Sequence, residues 1–509
     1  MHRNLLTIAA LTVGLAVCCV PAVAAGTFNP YQDFSSKPHG AFNVTVDDVL
    51  FVIRSQAALP HRQWAQQVRD DIIQQTRVQE LGQAEVILLH EKYGSHGQWT
   101  MLPVLPKIFR EYSNKKWFFF CEEDTRVSVT GLLVLLSRFS SDEEWFFGKT
   151  LYDQEATIIH HFHNPQSEFI FPDFDAGWIL SATLLSSVAA RIQKETPKVD
   201  FSIDVKHELA LYIWNEEGGL HLTGLPQMCA GNIDHSPLPL TADQVRQRVE
   251  EGKTKRSKSD SICVTAYPKS LPRCGSAVPG DDVLFAVKTC EKFHKDRVPV
   301  VRKTWGNFAK HLVYFSDKED KSIPTVECGV PNTERGHCAK TFVIMEKFLS
   351  EKEYEKFKWL VIADDDTILS VAHLEQLLSC YKAENPVIVG ERYGYGHVKG
   401  HGYDYVTGGG GMVFSRSAVE TLISNGCKCS KIDDPDDMII GMCAKRYDVP
   451  IAHSPLFHQA RPDDYAKGLL AHQTPVSFHK HWNVDPVRVY GEWFRQSDEQ
   501  SRNESHDEL

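Results

Sequence analysis

Three adjacent aspartates, Asp364, Asp365 and Asp366, follow the apolar run at residues 359–363. Neighbouring carboxylates repel one another unless a cation or hydrogen bonds offset the charge. At the end of a buried strand they offer oxygen ligands to a hard divalent cation, on the sheet edge where α/β proteins bind ligands. The bland alternative is a solvated turn. Three further groups could join such a site. Thr407 precedes four glycines, Gly408, Gly409, Gly410 and Gly411, whose backbone can approach a ligand closely or simply be flexible. Asp436 and Asp437 follow Pro435, where one carboxylate could act as a general base or merely favour a helix N-terminus. His458 follows Leu456 and Phe457; a metal site built on Asp366 needs further ligands, although a histidine after an apolar pair is more often packed.

The elements that must position these residues occur twice. Glu122, Glu123, Asp124 and Thr125 follow an aromatic run at residues 117–120, as Asp364, Asp365, Asp366 and Thr367 follow theirs 242 residues later. Residues 48–53 match 282–287, residues 144–148 parallel 386–390, and Gly177 stands near where the glycine run would be. His207 and Glu208 parallel Asp436 and Asp437. A repeat of this length indicates two tandem domains of one fold, since solenoid repeats run roughly 20–50 residues. Apolar runs alternate with helical patterns, which predicts an α/β architecture, a mainly parallel sheet with helices on both faces. The expected division is a signal peptide at 1–25, a first domain at 26–245, a basic linker at 246–262, a second domain at 263–500 and a tail at 501–509.

Residues 5–20 are apolar after Arg3 and precede small residues, the pattern of a secretory signal peptide. His506, Asp507, Glu508 and Leu509 read as a retrieval signal for the endoplasmic reticulum, which implies a retrieval receptor as partner and a lumenal protein. That compartment permits disulfides. Of thirteen cysteines, nine fall from Cys263 onward, so the second half should be the stapled one. Cys427, Cys429 and Cys443 match no zinc-finger spacing. The net charge of −11 argues against a nucleic-acid or anionic-membrane partner. Asn43 and Asn503 begin glycosylation sequons.

Taken together, the motifs of residues 282–458 resemble the fringe-type β1,3-glycosyltransferases. The likeness runs through the opening from Asp282 to Lys288 and Thr289, Arg302 and Trp305, and Tyr314 to Asp317. It continues through the Asp triplet, Tyr405 to Arg416 around the glycines, and Asp436 and Asp437 with Gly441. The resemblance implies a GT-A (Rossmann-like) fold, with the first domain a degenerate copy of the second. It implies Mn²⁺ held by Asp366 with Asp364 and His458, and Asp364 and Asp365 holding the ribose or the metal's waters. Lys288, Thr289, Asp317, Gly409 and Gly410 would border the donor. Asp437 would be the base, with Asp436 its rival. Within the family, duplication plus a retrieval tail implies inverting transfer of glucose from UDP-glucose, in β1,3 linkage, onto O-linked fucose of thrombospondin type 1 repeats. Two alternatives stay open: transfer of another UDP-sugar, and an inactive lectin or chaperone. The first domain, its glycine run reduced to Gly177 and with no counterpart of the 456–459 motif, is expected to be non-catalytic.

Overall fold

The computed structural model describes residues 43–507, apart from 95, 163–168, 196, 198–199, 216–217, 230–262, 268–270 and 482. The expected signal peptide, linker and last two tail residues lie outside the described residues.

The first half contributes β1 (Val49–Arg54), β2 (Glu85–Leu88), β3 (Trp117–Glu122), β4 (Arg126–Val127), β5 (Phe146–Gly148), β6 (Thr150–Leu151), β7 (Phe171–Pro172), β8 (Trp178–Ser181), β9 (Phe201–Ser202) and β10 (Thr223–Gly224). There follow β11 (Thr265–Ala266), β12 (Val283–Lys288), β13 (Leu312–Ser316), β14 (Thr325–Glu327), β15 (Trp359–Asp364), β16 (Thr367–Leu369), β17 (Ile388–Gly390), β18 (Arg392–Tyr395), β19 (Tyr403–Val406), β20 (Met412–Ser415), β21 (Ile451–His453) and β22 (Ser477–His479).

The two large sheets repeat one topology. The first runs β10-β5-β8-β3-β1-β2, and the second runs β21-β17-β20-β15-β12-β13, extended by β14. In each, one strand is reversed: β8 is antiparallel to β3 and β5, and β20 to β15 and β17, while the other pairings are parallel. The sheets are therefore mixed, with a parallel majority. The strands form where the sequence is apolar on both faces, as parallel strands covered by helices require; Val283 to Lys288 are all buried. β3 and β15 end on their acidic residue, and a threonine locks the turn in both. Thr125 accepts from the Glu122 N–H at 3.0 Å and donates to Asp175 O at 2.8 Å. Thr367 accepts from the Asp364 N–H at 3.1 Å and donates to Gly409 O at 2.8 Å. Ser128 and Ser370 then cap the following helices, accepting from Gly131 and His373 N–H.

The helix Cys338–Ser350 is followed by a short 3-10 turn at Lys352–Tyr354. One buried apolar cluster joins the halves, from Leu50 and Trp178 to Phe285, Trp305 and Trp359. Residues 263–267, placed by sequence in the second domain, pack with the first. β11 pairs with β4, Val264 and Tyr267 lie in the first half's core, and Cys263 bonds Cys229. Three disulfides staple the second half: Cys274–Cys380, Cys338–Cys429 and Cys427–Cys443. The last two use up the cysteines of the zinc reading. Cys121, Cys290 and Cys328 are buried free thiols.

Candidate active site

The Asp triplet sits at the C-terminal end of β15, in the middle of the second sheet, beside the end of β12. Lys288, the last residue of β12, reaches Asp364 Oδ1 at 3.1 Å and Asp436 Oδ2 at 2.6 Å. Thr289 donates to Asp365 Oδ2 at 2.7 Å. Arg297 spans Asp365 Oδ1 and Asp366 Oδ2, both at 2.9 Å, and its guanidinium lies 3.8 Å from the Phe293 ring centroid. Arg297 carries no motif signal in the sequence. Burial pushes Asp365 up to about 6, against the hydrogen bonds from Thr289 and Arg297. Asp317, beyond β13, accepts from the Glu291 N–H at 2.9 Å, on the same sheet edge two strands from the triplet.

The histidine at the triplet is His479. Strand β22 pairs antiparallel with β16, placing His479 opposite Thr367, one residue past Asp366. Its Nε2 lies 3.0 Å from Asp366 Oδ1 and 3.8 Å from Asp364 Oδ2. Its Nδ1 is 3.0 Å from Gln459 O, a contact that orients the ring and points Nε2 at the carboxylates. Burial alone would make His479 a weaker base, but the hydrogen bond and charge of Asp366 raise it. Asp366 in turn is held well below the usual carboxylate range: burial opposes this, and His479 and Arg297 outweigh it. Burial, then the charge of His479, lowers the neighbouring His481 to about 4.

His458, the ligand expected from sequence, is not at the triplet. Its nitrogens face Ser477 O at 3.1 Å and Gln473 Oε1 at 3.0 Å, its ring stacks on Phe478, and it is 1% exposed. Burial lowers it to about 4, so it stays neutral and packed. The glycines do have a spatial reason: a Cβ on Gly409 would lie 2.2 Å from the His479 ring. Gly410 N–H donates to Gln459 Oε1 at 3.0 Å, tying the glycine run to the residue that orients His479.

Asp364, Asp366 and His479 bring one ligand atom each within 4.8 Å of one another. Two carboxylates and one imidazole suit a divalent cation. Nε2, with Nδ1 committed to a carbonyl, faces negative charge that either a proton or such a cation must balance. The donor set therefore fits a metal.

Beyond Lys288 lies the helix Asp436–Arg446. Asp436 is buried and engaged by Lys288 and by Thr341 Oγ1 at 2.5 Å; burial opposes its ionisation, and the Lys288 charge prevails and lowers it. Among the described residues Asp437 accepts hydrogen bonds from backbone N–H groups alone, of Met438 at 2.8 Å and Gly408 at 3.4 Å. Burial, then the Asp436 charge, pushes it up to about 6.

In the first half two of the corresponding acids are engaged by neighbouring side chains. Arg54, at the place of Lys288, closes on Glu122 at 2.6 Å. Glu123 is taken by Gln56 at 3.1 Å and by His61. Burial and its two acidic neighbours push Asp124 up to about 7. Glu208 binds its own Ile203 N–H at 2.5 Å. A second trio, Asp153, His160 and His207, also clusters. There His160 lies 2.6 Å from Asp153 and 3.3 Å from Asp204, and despite its burial these partners raise it to about 9.

The family described as Fringe-like matches residues 101–204 and 278–506. The chain belongs to the Fringe-like family. It is similar to the mouse protein named beta-1,3-glucosyltransferase, 48% identical over 92% of this chain and 91% of that protein. The human protein of the same name is 47% identical over 90% of this chain and 87% of its own length. A Xenopus laevis radical fringe, named a beta-1,3-N-acetylglucosaminyltransferase, is 31% identical but covers 41% of this chain and 69% of itself. The glucosyltransferase likeness thus spans both halves of this Fringe-like chain. Among its described residues no helix is long and apolar enough to cross a membrane.

Proposed function

We propose that this Fringe-like protein is an inverting β1,3-glucosyltransferase that moves glucose from UDP-glucose onto O-linked fucose of thrombospondin type 1 repeats in the lumen of the endoplasmic reticulum. The observation that carries the mechanism is the pairing of Asp437, a carboxylate with no ion pair among the described residues, with a metal-fitting trio across Lys288. The donor sugar follows the two relatives named as glucosyltransferases, and the compartment follows residues 5–20 and 506–509.

In this reading Asp364, Asp366 and His479 would hold Mn²⁺, which would neutralise charge on the donor diphosphate. Arg297, Asp365, Thr289 and Asp317 border the nucleotide. Gly409 and Gly410 let the backbone close over it. Asp437 accepts the proton of the acceptor hydroxyl. The hydroxyl oxygen bonds to the anomeric carbon as the bond to the diphosphate oxygen breaks, and UDP leaves. One displacement from the opposite face inverts the centre, so an α-linked donor gives a β-linked product. Lys288 holds Asp436 and Asp364 in place and its charge lowers the cost of ionising Asp437. The first domain is non-catalytic in this reading, because Glu122 is engaged by its own Arg54 and Glu123 by Gln56 and His61.

The test is a matrix of UDP-sugars against an O-fucosylated and an unmodified thrombospondin type 1 repeat, using purified protein with Mn²⁺. Glucose transfer that needs the fucose supports the reading. Transfer of a different sugar overturns the donor, and no transfer from any UDP-sugar overturns the enzyme.

A further inference from the structure

Strand β9 belongs to the first half by sequence, yet it completes a small sheet of the second, in the order β19-β18-β9. Ser202 pairs with Gly394 and Phe201 with Tyr395. The Gly396 N–H donates to Asp200 O at 2.8 Å, and Asp200 ion-pairs with Lys399. On the other side of β18, Tyr395 lies opposite Tyr403 and Tyr393 opposite Tyr405. Residues directly opposite share a face, and alternate residues along a strand do too. One face of this sheet is therefore a row of aromatic rings. Centroids step 5.0 Å from Phe201 to Tyr395, 5.7 Å to Tyr403 and 6.4 Å to Tyr405.

The row is graded. Phe201 is 39% exposed, Tyr395 and Tyr403 are half-buried, and Tyr405 is buried. Its inner end abuts the helix that carries Asp437. That helix packs so closely that a Cβ on Gly441 would lie 2.5 Å from both Asp404 O and Tyr405 Cβ. Asp437 is near enough that, after burial, its charge is the next largest cause of the raised Tyr405 hydroxyl.

We propose that this row is the track of the acceptor: the inner tyrosines face the sugar whose hydroxyl reaches Asp437, and Phe201 with Tyr395 docks the polypeptide that carries that sugar. The proposal rests on Asp437 being the base, as proposed above. Three ring-to-ring steps extend farther than one pyranose, so the outer end meets whatever the sugar is attached to. The chemistry changes in the matching direction. The inner rings carry hydroxyls that suit a sugar, whereas Phe201 has no polar side-chain atom and suits apolar side chains of a protein surface. Exposed aromatic anchors are the residues that dominate protein–protein binding. The first domain thereby contributes to acceptor choice without a catalytic group of its own.

The experiment compares wild type, Phe201→Ala, Phe201→Gln and Phe201→Tyr. It measures the affinity for a folded, O-fucosylated thrombospondin type 1 repeat by titration, and KM for that repeat and for an aryl fucoside. The pairing of β9 uses main-chain groups, so thermal melting should stay near wild type in at least one variant. Phe201→Ala and Phe201→Gln should raise Kd and KM for the repeat roughly tenfold, several-fold more than KM for the aryl fucoside. Phe201→Tyr should restore most of the loss. An equal rise for both acceptors, or no rise for the repeat, overturns the docking role. Wild type that binds the repeat but transfers no glucose sinks the proposed donor and leaves the track standing. Wild type that neither binds nor modifies the repeat overturns both.

Discussion

Lys288 donates to Asp436 at 2.6 Å and leaves the next residue, Asp437, without a cationic partner among the described residues. Two adjacent carboxylates thus have different work: one neutralises a buried lysine, the other faces the glycine run.

The variants Asp437→Asn and Asp436→Ala should therefore fail in different ways. Asp437→Asn should fold normally and bind UDP, with turnover lower by roughly 10²–10⁴, the usual worth of a general base. Asp436→Ala strips a buried ammonium of one partner and should cost about 3–5 kcal/mol of stability, read from denaturant unfolding. Normal transfer by Asp437→Asn would remove it as the base.

As the proposed base, Asp437 should also set a pH dependence. Burial and the Asp436 charge raise it to about 6, and a base works only when ionised. The rate constant kcat/KM should rise as pH climbs through about 6 and level off above. A flat profile between about pH 5 and 7 would mean that another group takes the proton.

The two histidines give a third contrast. His479→Ala should raise the Mn²⁺ concentration needed for half-maximal activity by about tenfold or more. His458→Ala removes a packed ring and should lower stability by about 2–5 kcal/mol, with the Mn²⁺ requirement unmoved. Reversed outcomes would restore the sequence-based choice of His458.

In the first half, Glu122→Gln takes the charge opposite Arg54, a half-buried pair. The melting temperature should fall while donor hydrolysis stays within about twofold, since uncoupled sites add independently. A collapse of hydrolysis in folded protein would place chemistry in that half.

What the sequence made legible was local. The Asp triplet announces itself because an apolar run, the acids, a cap and a helix are contiguous, and because the same string recurs at Glu122. His479 escaped notice because it lies 113 residues from Asp366 and is brought there by three-residue strands, β16 and β22, too short to show a period. His458 looked like a ligand because it follows two apolar residues, which is equally the signature of the packed residue it is. The choice between Asp436 and Asp437 depends on where Lys288 reaches from another strand. Strand direction is likewise silent in composition: Met412 to Ser415 is as apolar as its parallel neighbours but runs the other way. β9, two residues long, has no pattern to read at all.

The bond between Cys229 and Cys263 encloses residues 230–262 and with them the basic stretch from Lys253 to Lys258. A protease that severed the backbone anywhere in that stretch would not release a fragment. The two pieces would remain covalently one molecule until a reductant broke that bond.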